Sequence, residues 1–148
     1  MELILWRHAD AEDGMPGTER ALTAKGFKQA ERMAAWLRSR LPKDAVVLAS
    51  PALRAQQTAQ ALTRKFETSD AVGTAATPEA VLAAAGWPDG KAVVIVVGHQ
   101  PTLGAAAALA LTGQATPWSV KKGAVWWLDH RARDPATVLR LVISPDLL

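Results

Sequence analysis

The sequence predicts a three-layer α/β/α sandwich around a mostly parallel, mixed central sheet, and three observations carry that reading. Short apolar runs recur, each followed by a polar turn and then by apolar residues at helical spacing. Residues 92–97 form a β-branched run without polar alternation, as a strand covered on both faces requires. Residues 124–129 and 137–143 read as two late strands joined across a charged loop at 130–134, which adds an antiparallel hairpin. A chain of 148 residues, 49% hydrophobic and 21% charged, suits a single domain over 1–148 with its own core.

Each element has a local reason. Leu3, Ile4, Leu5 and Trp6 form the first strand, stopped by Arg7 and His8. A polar loop, 10–20, leads to Thr23, the N-cap candidate of a helix whose apolar positions Phe27, Ala30, Ala34, Leu37 and Leu41 recur at steps of three and four until Pro42 ends it. Residues 45–49 are the second strand. Ser50-Pro51 then offers an N-cap followed by proline at the first helical position, with Ala52, Ala55, Ala59, Leu62 and Phe66 as the buried stripe. After an irregular stretch containing Val72, Thr77-Pro78-Glu79 opens a weaker helix to about Gly86. The third strand, 92–97, turns through Gly98-His99-Gln100-Pro101 into a helix of small residues ending near Gly113.

Composition removes several functions. With no cysteine there is no disulfide scaffold, thiolate zinc site, iron–sulfur cluster or cysteine nucleophile. Neither a dinucleotide-binding glycine motif, a P-loop nor a His-Glu-x-x-His zinc motif occurs, so no cofactor and no metal are expected. The 17 basic and 14 acidic residues are interspersed and no basic run exceeds two, so nucleic acid is not an expected partner. The longest apolar run, 103–111, is well below the ~20 residues of a bilayer span, and a cytoplasmic monomer without membrane attachment is expected. The six tryptophans, Trp126-Trp127 included, read as core and strand-face residues.

Ligands of open α/β sheets lie beyond the carboxyl ends of the strands, where helix N-termini also gather. Here the first strand ends in Arg7-His8, the second leads through Ser50 to Arg54 in the first turn of its helix, and the third ends in Gly98-His99. Two guanidiniums and two imidazoles at one rim suit a phosphoryl group, because arginine presents a planar fork of donors and a neutral imidazole can attack phosphorus.

The segments Leu3-Ile4-Leu5-Trp6-Arg7-His8-Ala9, Leu22-Thr23-x-x-Gly26, Ser50-Pro51-x-x-Arg54-Ala55-x-x-Thr58-Ala59 and Val97-Gly98-His99-Gln100-Pro101, in that order, resemble the histidine phosphatase superfamily. The resemblance spans nearly the whole chain and is closest to the short SixA-type phosphohistidine phosphatase branch. It implies a phosphoglycerate mutase-like fold and a metal-independent phosphatase. In it His8 is the phosphorylated nucleophile, and Arg7, Arg54 and His99 complete the phosphate pocket. Ala9 departs from the glycine many members carry there. Larger relatives supply a general acid from an inserted segment that this chain scarcely has; Glu79 reads first as a helix-start acid favoured by the dipole and second as a candidate proton donor. Asp10, Glu12 and Asp13 read first as a solvated acidic loop, and His130 as a solvated loop residue without a role. Three functions follow in order: hydrolysis of phosphohistidine on a protein, hydrolysis of small phosphoesters or sugar phosphates on the same residues, and non-catalytic binding of a phosphoprotein.

Overall fold

The computed structural model describes residues 1–14 and 17–148. Its strands are β1 (Glu2–Arg7), β2 (Val46–Ala49), β3 (Glu67–Thr68), β4 (Val93–Gly98), β5 (Val125–Arg131) and β6 (Ala136–Ile143). Its helices are α1 (Ala24–Arg38), α2 (Leu53–Leu62), α3 (Pro78–Ala85) and α4 (Thr102–Thr112). The two-residue period of the strands assigns the layers. Ile4 and Trp6 of β1, with Ile95 and Val97 of β4, pack on Met33, Ala34 and Leu37 of α1 and on Ala55 and Ala59 of α2. Leu3 and Leu5, with Val94 and Val96, pack on Val81 and Leu82 of α3 and on Leu103 and Ala106 of α4. Both faces of the central strands are thus apolar, which is why their sequences do not alternate. Burying one such side chain contributes roughly 1.5–3 kcal/mol, so the sheet is held mainly from its two faces.

The sheet order is β3-β2-β4-β1-β5-β6. The first four strands are parallel, while β5 pairs antiparallel with β1 and β6 with β5. This is the mixed, mostly parallel α/β/α sandwich expected. Because α1 and α2 cover one face and α3 and α4 the other, the chain leaves the adjacent strands β1 and β4 in opposite directions. A crevice opens beyond their carboxyl ends. Register aligns the rim: Arg7 pairs with Gly98 and Ala49 with Val97, so His8, Ser50 and His99 follow the ends of three neighbouring strands.

Some local readings change. Phe27 is 41% exposed, because the buried arc of α1 runs through Gly26, Ala30, Met33, Ala34 and Leu37 instead. Ser50 does not cap α2; the helix starts at Leu53 with Ala52 as N-cap, and the Ser50 hydroxyl accepts the Ala52 N–H while also meeting His99. Strand β3 has no pattern of its own, since its two residues are exposed and only pairing with β2 orders them. His130 lies in β5 rather than a loop, half-buried against the Trp87 ring, because the hairpin ladder extends to Arg131.

The first turn of α1 fixes the loop that follows β1. Thr23 caps the helix by accepting the Gly26 N–H at 2.9 Å, and its own N–H donates to the Asp10 carbonyl at 3.0 Å. A Cβ on Gly26 would stand 1.9 Å from that carbonyl oxygen, a backbone atom with no freedom to move aside. We predict that Gly26→Ala lowers stability by roughly 1–3 kcal/mol, the usual range for overpacking. Urea unfolding of the variant and the parent at matched pH reads this directly; an unchanged midpoint would contradict it.

Candidate active site

His8 is the first residue beyond β1, and its backbone N–H still donates to Gly98 O at 3.0 Å, which continues the sheet ladder into the site. The next residue, Ala9, is tied down by Thr58, whose hydroxyl accepts the Ala9 N–H at 3.1 Å and donates to Arg54 O at 2.7 Å. Buried Thr58 thereby locks the strand end to α2. With the backbone held, the His8 Nδ1–H donates to the Ala9 carbonyl at 2.8 Å. A carbonyl accepts only, so the proton of the neutral ring sits on Nδ1 and the lone pair on Nε2. Arg54 approaches that lone pair with Nε at 3.3 Å.

Arg7, His8, Arg54 and His99 all line one cleft of about 240 Å³, so the four residues singled out from the sequence are brought together. His8 and His99 face each other with ring centroids 5.3 Å apart. The guanidiniums are anchored by carbonyls. Arg7 Nη1 donates to Val120 O at 2.9 Å, and Arg54 Nη1 donates to Gly17 O.

Arg20 also lines the cleft, and sequence reasoning missed it. It donates through Nε to Gly17 O at 3.4 Å and through Nη1 to Glu12 O at 3.3 Å, so the loop after His8 is folded back by two arginines. No spacing motif announces it. Asp13 is the carboxylate that lines the cleft among the described residues, whereas Glu79 is exposed in the first turn of α3 and does not line it. Asp10 is held by Lys122 at 2.9 Å and by the Thr23 hydroxyl at 2.8 Å; the Lys122 contact chiefly, and the Thr23 hydrogen bond after it, keep its carboxyl below the usual range.

A model of the histidine phosphatase superfamily, branch 1, matches residues 3–75, the stretch that carries Arg7, His8, Ser50 and Arg54. The chain belongs to this superfamily. The solved structure of the protein histidine phosphatase SixA complexed with tungstate superposes with a TM-score of 0.85 at 26% identity over 99% of each chain. A protein from Nakamurella multipartitia assigned as a phosphohistidine phosphatase SixA gives 0.79 at 28% identity, over 97% of this chain and 95% of that one. A phosphoserine phosphatase from Entamoeba histolytica shares the fold, with a TM-score of 0.75 at 16% identity over 99% and 98% of the two chains. No curated protein sequence matches the chain.

Two donors of this phosphatase are buried without a partner among the described residues, Arg7 Nε and His99 Nδ1. The His99 proton can be placed. Ser50 is fully buried, its hydroxyl accepts the Ala52 N–H, and the acceptor at 2.7 Å for its own hydrogen is His99 Nε2. Because a buried hydroxyl hydrogen needs an acceptor, Nε2 accepts and Nδ1 carries the ring proton. Both unpartnered groups are therefore donors, the type a phosphoryl oxygen satisfies. Among the described residues no group of three or more His, Cys, Asp or Glu side chains is placed to hold a metal ion.

The site keeps its imidazoles neutral. Burial is the largest cause lowering the His8 pKa from its ordinary 6.5 to about 4; the Ala9 carbonyl works against it, and repulsion from Arg54, Arg7 and Arg20 adds to it. For His99, burial and then the charges of His8, Arg54, Arg7 and Arg20 bring it to about 3. Burial also lowers Arg7 and Arg54 below the usual arginine value, yet guanidiniums stay charged in proteins.

Unfolding frees both imidazoles to titrate near 6.5, so below that pH the unfolded chain binds more protons than the folded one. Their contribution to stability is complete above pH ~6.5 and is lost as the pH falls toward the folded values of about 4 and 3. We predict that stability by urea unfolding drops by roughly 3–5 kcal/mol more between neutral pH and pH ~4.5 in the parent than in the His8→Asn/His99→Asn variant. Parallel profiles would show that neither ring is held neutral.

Proposed function

We propose that this phosphatase hydrolyses phosphohistidine on a protein through a phosphoenzyme formed on His8. One observation carries the reading: a neutral imidazole, fixed by the Ala9 carbonyl with its lone pair on Nε2, stands in a small cleft lined by the guanidiniums of Arg7, Arg20 and Arg54. The His8 Nε2 lone pair forms the new N–P bond, while the electron pair of the substrate's P–N bond goes to the departing imidazole, which takes up one proton. Water then forms the P–O bond, the N–P pair returns to Nε2, and the proton taken up in the first step is released. Arginine forks and the His99 Nδ1–H balance charge on the phosphoryl oxygens through both transfers.

The choice of phosphohistidine rests on the leaving group and on size. An imidazole is protonated near neutral pH and departs with less help than an alkoxide, so a site without a dedicated acid handles it well. Residues 69–77, between β3 and α3, bring Thr74 to the cleft and leave little chain to enclose a small metabolite. Similarity to the SixA structures over nearly the full length supports the same substrate class. A second reading, hydrolysis of small phosphoesters, is favoured by one feature alone, the placement of Asp13 where it could protonate an alkoxide.

Alkaline quench after brief incubation with labelled phosphohistidine protein is expected to leave an acid-labile phosphoenzyme in the parent and none in His8→Ala. Arg54→Lys is expected to lose roughly 2–4 kcal/mol of transition-state stabilisation, because a point charge cannot replace the fork. Label on any other residue would overturn the nucleophile.

The proton donor separates the two readings. Glu79→Gln is expected to change phosphohistidine turnover by less than about tenfold, and Asp13→Asn to slow alkyl phosphates far more than phosphohistidine. Efficient parent hydrolysis of sugar phosphates would transfer the assignment to the small-phosphoester reading.

A further inference from the structure

Beside the catalytic cleft lies a larger groove of about 810 Å³, and Arg7 and Lys122 line both. Its walls carry Lys25, Lys28 and Arg32 of α1 on one side and Lys121 and Lys122 of the segment before β5 on the other. Asp146 is the carboxylate among its lining residues. Lys122 is paired with Asp10, but among the described residues Lys25, Lys28, Arg32 and Lys121 have no carboxylate within salt-bridge distance. All four are exposed.

The placement of these charges is unfavourable for the free protein. Lys25, Lys28 and Arg32 fall at steps of three and four, so like charges adjoin on one helix face, and helix neighbours of like sign repel. Lys25 also stands in the first turn of α1, where the helix dipole disfavours cations and the turn itself holds no acidic residue. An anionic partner seated in the groove would relieve both. The stripe extends about 10 Å along α1, more than one phosphate spans, and continues through Arg7 to the site that receives the phosphoryl group.

We infer that this groove docks an acidic stretch of the substrate protein beside its phosphohistidine, so that carboxylates on the partner pair with Lys25, Lys28, Arg32 and Lys121 while the phosphorylated ring enters the cleft. The inference rests on the proposed function and names the chemistry of its partner. Nucleic acid suits the groove less well, because among the described residues no aromatic side chain lines it for base stacking. The pairing sets encounter rate and register more than chemistry, so it acts on KM and fades with salt.

The test uses the full chain and a fluorescent histidine peptide flanked by glutamates, beside the same peptide with glutamines. By anisotropy at low salt the glutamate peptide should bind at least about tenfold more tightly, and Lys25→Glu/Lys28→Glu/Arg32→Glu should abolish the difference. Glutamates are favoured at a helix start, so the variant should fold, which its urea midpoint checks. With both peptides chemically phosphorylated on histidine, the parent should prefer the acidic one through KM, while turnover of free phosphohistidine should be the same in parent and variant. Equal binding of the two peptides would overturn the groove. So would tighter binding of a duplex oligonucleotide, or of phosphatidylserine vesicles, lost in the same variant. Failure of free phosphohistidine to turn over would instead strike the proposed function, leaving the peptide-binding comparison to decide the groove by itself.

Discussion

Positive charge collected at one rim with little acidic compensation is the constraint from which the rest of the site follows. Arg7, Arg20 and Arg54 line the cleft with His8 and His99, against Asp13 alone among the described carboxylates. Had each guanidinium been paired with a buried carboxylate, the field at the centre would be cancelled and an incoming dianion repelled. Carbonyl oxygens hold the arginines instead, at Val120, Gly17 and Glu12, which fixes their geometry without neutralising them. The same field, added to burial, keeps both imidazoles uncharged, so one arrangement both favours an anion in the cleft and preserves the His8 lone pair.

Such a cluster is tolerable only on a rigid frame. The ladder bonds from His8 N to Gly98 O and from Ser50 N to Val97 O carry the sheet one residue past its strands, so the reactive side chains hang from backbone that the core already orders. Thr58 and Gly26 complete the fixation from two directions, one by tying Ala9 to α2 and the other by letting the first turn of α1 press against the Asp10 carbonyl. Fold and site are linked most tightly at these small residues.

Much of this was legible in the sequence because burial leaves periodic traces. The β-branched 92–97 run, the Thr77 and Thr23 caps and the glycine ends of α3 and α4 are local chemistry, and each element formed where that chemistry placed it. Strand ends followed by Arg7-His8 and Gly98-His99 could be set at one rim by the topology rule for open sheets. What escaped depends on tertiary contacts. Arg20 reaches the cleft only because its loop turns back over the site. Ser50 looks like a helix cap until His99 is seen beside it. The groove cations are spread over α1 and a loop about ninety residues later, and a scan for basic runs has no means of joining them.

Both histidines carry the ring proton on Nδ1, but the protein holds opposite nitrogens of the two rings, so His8 is left with a free lone pair and His99 with a free donor. His8 sits against an atom that can only accept, the Ala9 carbonyl, which forces its proton to Nδ1 and offers Nε2 as a lone pair. His99 sits against a hydroxyl already accepting from Ala52, whose hydrogen goes to Nε2 and leaves Nδ1–H as a donor. Were the two hydrogen-bonding environments exchanged, His8 would present a proton where a nucleophile is needed, and His99 a lone pair toward phosphoryl oxygens. Nothing in the ring itself selects between these states, which lie close in energy in water. The division of labour between two chemically identical side chains is therefore written in a backbone carbonyl and a buried serine.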